Sequence, residues 1–354
     1  MVYIIAHFAN NLGDDLFIRH LLSRYPYTQF YLCASNPSFL KCFSSYRNAQ
    51  IINPFKCFLI KVINKIIGYR GPFRDYKAFK KATAVVRIGG SIFIETDGWK
   101  ERFSYSAGEN LFIIGSNFGP YYSAEYKNAV ERIIEKSIDC CFRDRFSYET
   151  FKHLKHTRFA PDILFGYEDE SAEGLGNYIG ISVIDFSNRK HLSELLQLYE
   201  TGIINICNYF LSKGNHIKLF SFCVHEGDNN AINRIKDKLT NQDCVEIVQY
   251  SGDVDSFLHE FQSCSTIIAT RFHSMILGWK YKKKVLPVIY SEKMLHVIQD
   301  LNFDGIYWNV FAGAKAPIDA LDVIKPLDAE LLAKMVAKSS DHFKVLDDFL
   351  KRRS

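Results

Sequence analysis

The sequence lacks the signatures that identify several classes of protein. Its nine cysteines form no CxxC pair and no array with histidine, and their odd number argues against a disulfide framework. The 44 basic residues nearly balance the 39 acidic ones, and the net charge of +5 does not indicate a nucleic-acid-binding protein. No apolar run is long enough to cross a membrane. We therefore expect free thiols in a reducing compartment, no metal site and no nucleic-acid partner.

Composition and the amino-terminal segment indicate a globular cytoplasmic protein. Apolar residues make up 47% of the 354 residues and aromatic residues 15%, enough to bury a core in each of two domains. Residues 1–7 are apolar without a basic stretch before them, unlike a signal peptide. We expect the cytoplasm, with contact at the inner face of the membrane as one alternative discussed below.

Short apolar runs rich in β-branched residues recur along the chain, with helix-like stretches between several of them. The runs are 2–8, 30–34, 84–88, 111–114 and 138–142, then 178–184, 217–222, 245–249, 266–269 and 285–290. This alternation is typical of parallel sheets covered by helices. It predicts an α/β protein with two Rossmann-like parallel-sheet domains.

The boundaries follow from composition. Residues 166–177 are acidic, contain glycine and lack periodicity, so we interpret them as a linker between domains 1–165 and 178–327. Apolar residues recur at helical spacing in 328–354, which predicts one helix or two in sequence. The pattern leaves open which domain this last segment packs against.

Four unusual clusters directly follow predicted strands. They are residues 10–15, 89–91, 115–120 and 270–274. In open parallel sheets ligands bind beyond the carboxyl ends of the strands, so we expect these clusters to line one crevice between the two sheets. The alternative for each glycine in them is a tight turn without a ligand.

Cationic and titratable groups lie in the last of these clusters. Arg271 ends a predicted strand, His273 follows two residues later, and Lys293 follows the next predicted strand. Arginine can bind a carboxylate or phosphate through two bonds, and histidine can transfer a proton near neutral pH. The alternatives are a polar helix start for Arg271 and His273 and a solvated surface charge for Lys293.

A second charged group, Arg143, Asp144 and Arg145, follows the run 138–142. By itself it is well explained as the solvated start of a helix with an aspartate or a serine as its cap.

Together these motifs resemble the polysaccharide pyruvyltransferase family. The resemblance runs in order along most of the chain, and its most specific part is the Arg-x-His segment with the lysine that follows. The matching positions are Asn11, Gly13 and Asp14; Gly89, Gly90 and Phe93; Gly115, Gly119 and Pro120; Arg143, Asp144 and Ser147; Pro161 and Asp162; residues 270–278; Tyr290 and Lys293.

The resemblance implies two domains facing across a cleft, similar to the B-type glycosyltransferase architecture. It implies phosphoenolpyruvate as donor substrate, no cofactor, and a sugar in a glycan or lipid-linked glycan precursor as acceptor. It implies that His273 is the acid/base, that Arg271 binds the donor's carboxylate or phosphate, and that Lys293 holds phosphate. The remaining residues carried over are Asp144 and Asp14 as catalytic, and Arg143, Asn11 and Gly90 as substrate-binding; we add Ser91 and Asn117 as substrate-binding from the strand-end clusters. Arg145 departs from the family, where an acidic residue is common.

Two other functions fit the same architecture. A sugar-nucleotide-dependent glycosyltransferase would use Arg271 and Lys293 on a diphosphate, and a non-catalytic glycan-binding or scaffold protein would bind neither donor. The concentration of charged residues at strand ends favours an enzyme.

The segment 55–81 combines an amphipathic helical pattern with basic and aromatic residues. Its apolar positions are Phe55, Phe58, Leu59, Val62, Ile63, Ile66 and Ile67. Such a helix either covers a sheet with its apolar face or rests on anionic lipid headgroups. Nothing in the sequence bears on the oligomeric state.

Overall fold

The computed structural model describes residues 1–69, 73–104, 110–169, 176–187, 189 and 192–352. Contacts divide the chain into two units, which we call the first and second domains. The first comprises residues 1–8, 14–163 and 338 onwards, and the second comprises 9–13 and 164–337. Residues 170–175 of the predicted linker, and Arg70 of the basic segment, lie outside the described residues.

The first domain is built around a parallel sheet. Its strands are β1 (Val2–Ile5), β2 (Phe30–Leu32), β3 (Ala49–Ile51), β4 (Ala84–Ile88), β5 (Leu111–Ser116), β6 (Asp139–Phe142) and β7 (Thr157–Phe159). Its helices before the second domain are α1 (Leu12–Arg24), α2 (Pro54–Ile66), α3 (Tyr76–Lys81), α4 (Trp99–Ser104), α5 (Ala124–Glu135) and α6 (Arg145–Phe151). The central strands are buried on both faces, as their continuous apolar sequences require.

The second domain repeats this plan. Its strands are β8 (Tyr178–Ser182), β9 (Ile217–Ser221), β10 (Val245–Gln249), β11 (Cys264–Ala269), β12 (Lys284–Ile289) and β13 (Trp308–Asn309). Its helices are α7 (Leu196–Ser212), α8 (Asp228–Lys236), α9 (Val254–Gln262), α10 (Phe272–Lys280) and α11 (Glu292–Asp300), followed by α12 (Ala329–Ser339), whose last two residues group with the first domain. The last helix, α13 (Lys344–Lys351), belongs to the first domain.

The two sheets share one strand order over six strands, and the first sheet has a seventh at its edge. The first runs β3-β2-β1-β4-β5-β6-β7 and the second β10-β9-β8-β11-β12-β13, and all their pairings are parallel. The order therefore reverses between β1 and β4 in the first sheet and between β8 and β11 in the second. Such reversals open the crevice in which α/β proteins bind ligands, beyond the carboxyl ends of the two strands. The prediction of two parallel-sheet α/β domains is confirmed.

All ten predicted apolar runs overlap a strand, and the bounds of β4 and β10 match the prediction residue for residue. The prediction missed β3, β7 and β13. These strands have three residues or fewer, too few to produce a periodic pattern.

The carboxyl-terminal segment is divided between the domains: residues 328–337 group with the second, and residues 338 onwards pack on the first. Asp347 accepts hydrogen bonds from Arg24 at 2.6 Å and from the Tyr25 hydroxyl at 2.6 Å. The buried His342 Nε2 lies 2.8 Å from the Pro161 carbonyl oxygen. These contacts hold the part of the segment after residue 337 on the first domain, and the segment contains two α-helices joined by a short 3-10 turn, Ser340–Phe343.

Helix α2 presents its apolar stripe to the surface. All seven apolar positions named above are among the exposed large hydrophobic residues, so the alternative in which this stripe covers the sheet is wrong for the described chain. Among the described residues, no helix has the length and apolar character needed to cross a bilayer.

Candidate functional site

The strand-order reversal of the second sheet places Arg271 at a buried turn. The hydroxyl of Ser182, at the end of β8, accepts the backbone N–H groups of Thr270 and Arg271 at 3.0 and 3.1 Å. Tyr199 donates from its hydroxyl to Thr270 Oγ1 at 3.2 Å. These bonds join the ends of β8 and β11 and fix the backbone from which the Arg271 side chain leaves.

The guanidinium of Arg271 is buried and held by two carboxylates. Its Nε donates to Asp228 Oδ2 at 3.0 Å, and Nη2 donates to the other oxygen of the same carboxylate. Nη1 donates to Glu226 Oε2 at 2.6 Å. A guanidinium carries five N–H groups. Within the described part of the chain these three bonds are its only ones, which leaves two N–H groups for a ligand.

Asp228 begins α8 and is fully buried. Besides Arg271, its Oδ2 accepts the backbone N–H groups of Phe222 and Cys223, both at 3.1 Å. Each of its four hydrogen bonds therefore comes from an N–H donor. Only the ionised carboxylate can accept from all of them. Asp228, which follows β9, therefore holds the guanidinium of Arg271 in place.

Glu226 links Arg271 to two further polar residues. Its Oε2 also accepts from Arg189 Nη2 at 2.6 Å, and its Oε1 accepts from Asn11 Nδ2 at 3.3 Å. Burial would raise the pKa of this carboxyl, but Arg271 and Arg189 lower it to about 2. Glu226 is therefore charged at neutral pH.

His273 lies in the first turn of α10, directly against the backbone of Gly13. A Cβ atom at position 13 would stand 1.6 Å from His273 Nδ1, an impossible contact. The ring of Phe272 lies edge-on to the imidazole, with centroids 5.2 Å apart. Gly13 thus has a steric function: it leaves room for the imidazole.

Lys293 lies in the first turn of α11, close to the same strand ends. Its Nζ is 5.8 Å from the ring centroids of both Phe272 and Tyr290. Burial raises the pKa of the Tyr290 phenol, but the charges of Lys293, Arg271 and Arg189 outweigh burial and lower that pKa below its ordinary value. We call Arg189, Arg271 and Lys293 the cation cluster. Against the carboxylates of Glu226 and Asp228 it leaves one net positive charge, which favours an anionic ligand.

In the first domain, Arg143 is buried with its guanidinium against the loop after β4. It pairs with Asp162 at 3.0 Å and donates to Asn117 Oδ1 at 2.7 Å. A Cβ at Gly90 would lie 2.5 Å from the guanidinium atoms. The described structure therefore gives Gly90 and Asn117 a role in seating Arg143.

Asp144 is the N-cap of α6. Its Oδ1 accepts the Ser147 N–H at 2.8 Å, and Ser147 Oγ donates to its Oδ2 at 2.9 Å and accepts the Phe118 N–H at 2.7 Å. Asp144 is therefore a helix cap, but the expectation of a solvated helix start is wrong because Arg143 and Asp144 are both buried. The guanidinium carbon of Arg145 lies 4.9 Å from the ring centroid of Phe159.

Asp14 lies close to the point where the strand order of the first sheet reverses, between β1 and β4. This residue lies in the first turn of α1, and its Oδ2 is 3.4 Å from His7 Nδ1. Its Oδ1 is 3.7 Å from the position of a Cβ on Gly89, so it lies over the end of β4. Ser91 is half-buried two residues beyond Gly89 in the same loop.

A cavity of about 440 Å³ opens in the first domain beside the loop that follows Phe93. Its lining residues include Glu95, Asp97, Trp99, Lys100 and Tyr122. Glu95 is held in place because its carboxylate accepts the N–H groups of Tyr122 and Ser123. Aromatic faces beside hydrogen-bond acceptors suit a ligand with both apolar and hydroxyl surfaces.

Four residues of the candidate site in the second domain were not predicted from the residue pattern. They are Arg189, Glu226, Asp228 and Tyr290, of which Tyr290 entered only through the family resemblance. The signal for Glu226 and Asp228 was available: two acidic residues follow the run 217–222, at the carboxyl end of a predicted strand. Asp162 likewise entered only through the resemblance, although it is the ion-pair partner of Arg143.

Comparison with known proteins decides the family. The family model "Polysaccharide pyruvyl transferase" matches residues 1–292. The chain belongs to the polysaccharide pyruvyl transferase family. The match covers the first sheet and the second sheet as far as β12, and it includes every site residue named above except Lys293. A search of curated protein sequences finds no significant match.

Solved structures share the fold of this pyruvyl transferase family member at low sequence identity. A UDP-GlcNAc 2-epimerase from Methanocaldococcus jannaschii, in complex with UDP-GlcNAc and UDP, has a TM-score of 0.54 and 10% identity over 95% of this chain and 97% of its own. Anabaena Alr3699/HepE, in complex with UDP and glucose, has a TM-score of 0.52 and 11% identity over 99% and 97%. S. aureus MnaA, solved with UDP, has a TM-score of 0.54 and 10% identity over 97% and 93%. At this identity the likeness concerns the fold alone.

Proposed function

We propose that this chain transfers the pyruvyl group of phosphoenolpyruvate to a sugar of a glycan or lipid-linked glycan precursor, forming a ketal. Two sugar hydroxyls bond to C2 of the donor, C3 gains a proton and becomes a methyl group, and the C2–O bond to phosphate breaks. Of the two hydroxyl protons, one balances the methyl group and the other leaves with the phosphate. The family supports a pyruvyl transferase, and the donor and the ketal are our proposal.

The observation that carries the donor assignment is the cation cluster next to His273. Phosphoenolpyruvate bears a phosphate and a carboxylate, which need cations held in fixed positions. Asp228 and Glu226 hold Arg271 in place through hydrogen bonds. Lys293 Nζ lies 5.8 Å from the ring centroid of Phe272, the residue between Arg271 and His273 in the sequence. We propose that Lys293 and the two remaining N–H groups of Arg271 bind the donor.

His273 is our candidate for proton transfer. An imidazole titrates near neutral pH, so it can take a proton from a hydroxyl or deliver one to carbon. Its ring occupies the space that a side chain at position 13 would fill, and proton transfer requires that the ring lie within hydrogen-bonding distance of the substrate.

We place the acceptor sugar in the 440 Å³ cavity of the first domain. A sugar ring has apolar C–H faces that can lie on Trp99 or Tyr122, and hydroxyls that can donate to Asp97. Asp14, Arg143 and Asp144 remain candidates in the same domain, with Arg143 as a positioning residue because its guanidinium is engaged with Asp162 and Asn117.

Thermal shift with a panel of donors tests the proposal. Phosphoenolpyruvate should raise the melting temperature of the protein in a saturable manner, and Lys293→Ala should weaken that response. Lys284→Ala, at an exposed lysine that begins the neighbouring strand β12, is the matched control. Stabilisation by UDP-sugars and not by phosphoenolpyruvate would replace the proposal with a sugar-nucleotide-dependent enzyme.

A further inference from the structure

Helix α2 packs on the first domain through three buried residues on one side. Cys57, Ile60 and Asn64 are its buried residues. The thiol of Cys57 lies 3.1 Å from the Ser35 carbonyl oxygen, and Asn64 Nδ2 donates to the Arg74 carbonyl oxygen at 3.3 Å. Asn53 caps the helix by accepting the Lys56 N–H at 2.7 Å. The orientation of the helix is therefore fixed by polar contacts on one side.

The opposite side is apolar and exposed. The exposed residues recur at intervals of three and four, which places them in one stripe along the helix. Ile66 is 77% exposed, Phe55 70% and Phe58 62%, and the rest of the stripe is Leu59, Val62, Ile63 and Ile67. A stripe of seven large apolar side chains is far more than the isolated exposed hydrophobic residues that are normal on a surface.

The charges around this stripe have one sign. Lys61 and Lys65 are exposed on α2, and Lys77, Lys80 and Lys81 are exposed on or beside α3. From 54 to 81 the sequence contains a single acidic residue, Asp75. Its carboxylate is already occupied, because it accepts from the Tyr31 hydroxyl at 2.6 Å and lies 3.3 Å from Lys56 Nζ.

We propose that the exposed face of α2 is a membrane-binding surface whose partner is a bilayer containing anionic phospholipid. The helix has 13 residues, a length of roughly 20 Å, so it lies in the interface. The apolar stripe enters the acyl region, and the lysines contact the headgroups. A second copy of the chain is a poorer occupant, since a symmetric contact would bring the lysines of both helices together with no acidic residue of 54–69 to neutralise them.

Co-sedimentation of the purified full chain with sucrose-loaded vesicles tests this surface. Vesicles of phosphatidylcholine and phosphatidylglycerol should bind the protein, and phosphatidylcholine vesicles should bind it much less. Lys61→Glu with Lys65→Glu should lower the partition coefficient by roughly 30-fold or more. The matched control is Lys334→Glu with Lys338→Glu, two exposed lysines with the same spacing on α12, which should leave binding unchanged.

The apolar stripe is tested separately. Phe58→Gln with Ile66→Gln should lower the partition coefficient by about tenfold or more, whereas Tyr27→Gln with Val323→Gln, at two exposed sites elsewhere, should not. Phe58→Trp should give fluorescence that brominated lipid quenches, and Tyr27→Trp should not.

Absence of vesicle binding by the wild-type chain would overturn the proposal. Equal losses of vesicle binding in the matched control variants would also overturn it. So would light scattering that shows a wild-type dimer which the α2 substitutions convert to a monomer while vesicle binding stays unchanged. The inference does not depend on the proposed function, because the thermal shift with phosphoenolpyruvate is measured without lipid and should be the same in the α2 variants.

Discussion

Replacing Asp228 with asparagine should destabilise the second domain by removing one charge. The change keeps the shape of the side chain, but the new NH2 group must face one of four N–H donors: Arg271 Nε, Arg271 Nη2 and the backbone N–H groups of Phe222 and Cys223. The buried guanidinium also loses its two-bond partner. Breaking one member of a buried ion pair costs about 3–5 kcal/mol.

The corresponding change in melting temperature is large enough to measure. At about 2–4 °C per kcal/mol for a domain of this size, Asp228→Asn should lower the melting temperature by about 6–20 °C in differential scanning calorimetry. Glu226 still pairs with Arg271, which favours the lower end of that interval. Asp322→Asn is the matched control, because it removes an exposed pair with Lys213 and should change the melting temperature by less than about 2 °C. If Asp228→Asn behaved like this control, the buried carboxylate would not be what holds Arg271.

Three further predictions follow from individual contacts. Gly13→Ala should displace the His273 ring and lower kcat/KM for pyruvyl transfer by about 100-fold, with a melting temperature within about 2 °C of wild type; unchanged turnover would show that the position of the ring is unimportant. Trp99→Ala should raise the KM for the acceptor roughly 2- to 12-fold with the KM for phosphoenolpyruvate unchanged, and the reverse pattern would remove the cavity from the acceptor assignment. Burial lowers the pKa of His342 to about 3 in the folded chain, against about 6.5 in the unfolded chain. Between these pH values the unfolded chain binds more protons than the folded chain. The free energy of unfolding therefore falls on acidification, by up to about 1.4 kcal/mol per pH unit. His342→Gln, which can still donate to the Pro161 carbonyl but does not titrate, should therefore lose less melting temperature between about pH 7 and pH 5, and equal losses would exclude this histidine as the cause.

Much of the fold could be predicted because buried parallel strands have continuous apolar sequences. The sequence Ala-Val-Val-Arg-Ile of β4 is an example, and its bounds were predicted correctly. Strand β13 has two residues and no such pattern, and it forms because it pairs with β12. Domain assignment of residues 338 onwards depends on contacts such as that of Asp347 with Arg24, which are separated by more than 300 positions.

The sequence singled out charged residues such as Arg271 as candidates, but it did not show which residues they pair with. Arg271 was singled out because it ends an apolar strand, whereas its partner Asp228 follows β9, a strand separated from β11 by β8 in the sheet. Only the strand order brings the two together. The sequence also could not show that the guanidinium of Arg143 lies against Gly90. The amphipathic pattern of α2 was clear from the sequence. Whether its apolar face covers the sheet or is exposed depends on how the first domain folds.

The most direct test of the central proposal uses phosphoenolpyruvate labelled with carbon-13 at C2. The purified chain is incubated with this donor and a glycan or lipid-linked glycan extract, and the products are followed by mass spectrometry and phosphate release, with His273→Gln in parallel. The account predicts a labelled, acid-labile product heavier than the acceptor by one pyruvate less one water, formed with equimolar phosphate by the wild type and not by the variant. Phosphate release without labelled glycan, or equal turnover by His273→Gln, would contradict it.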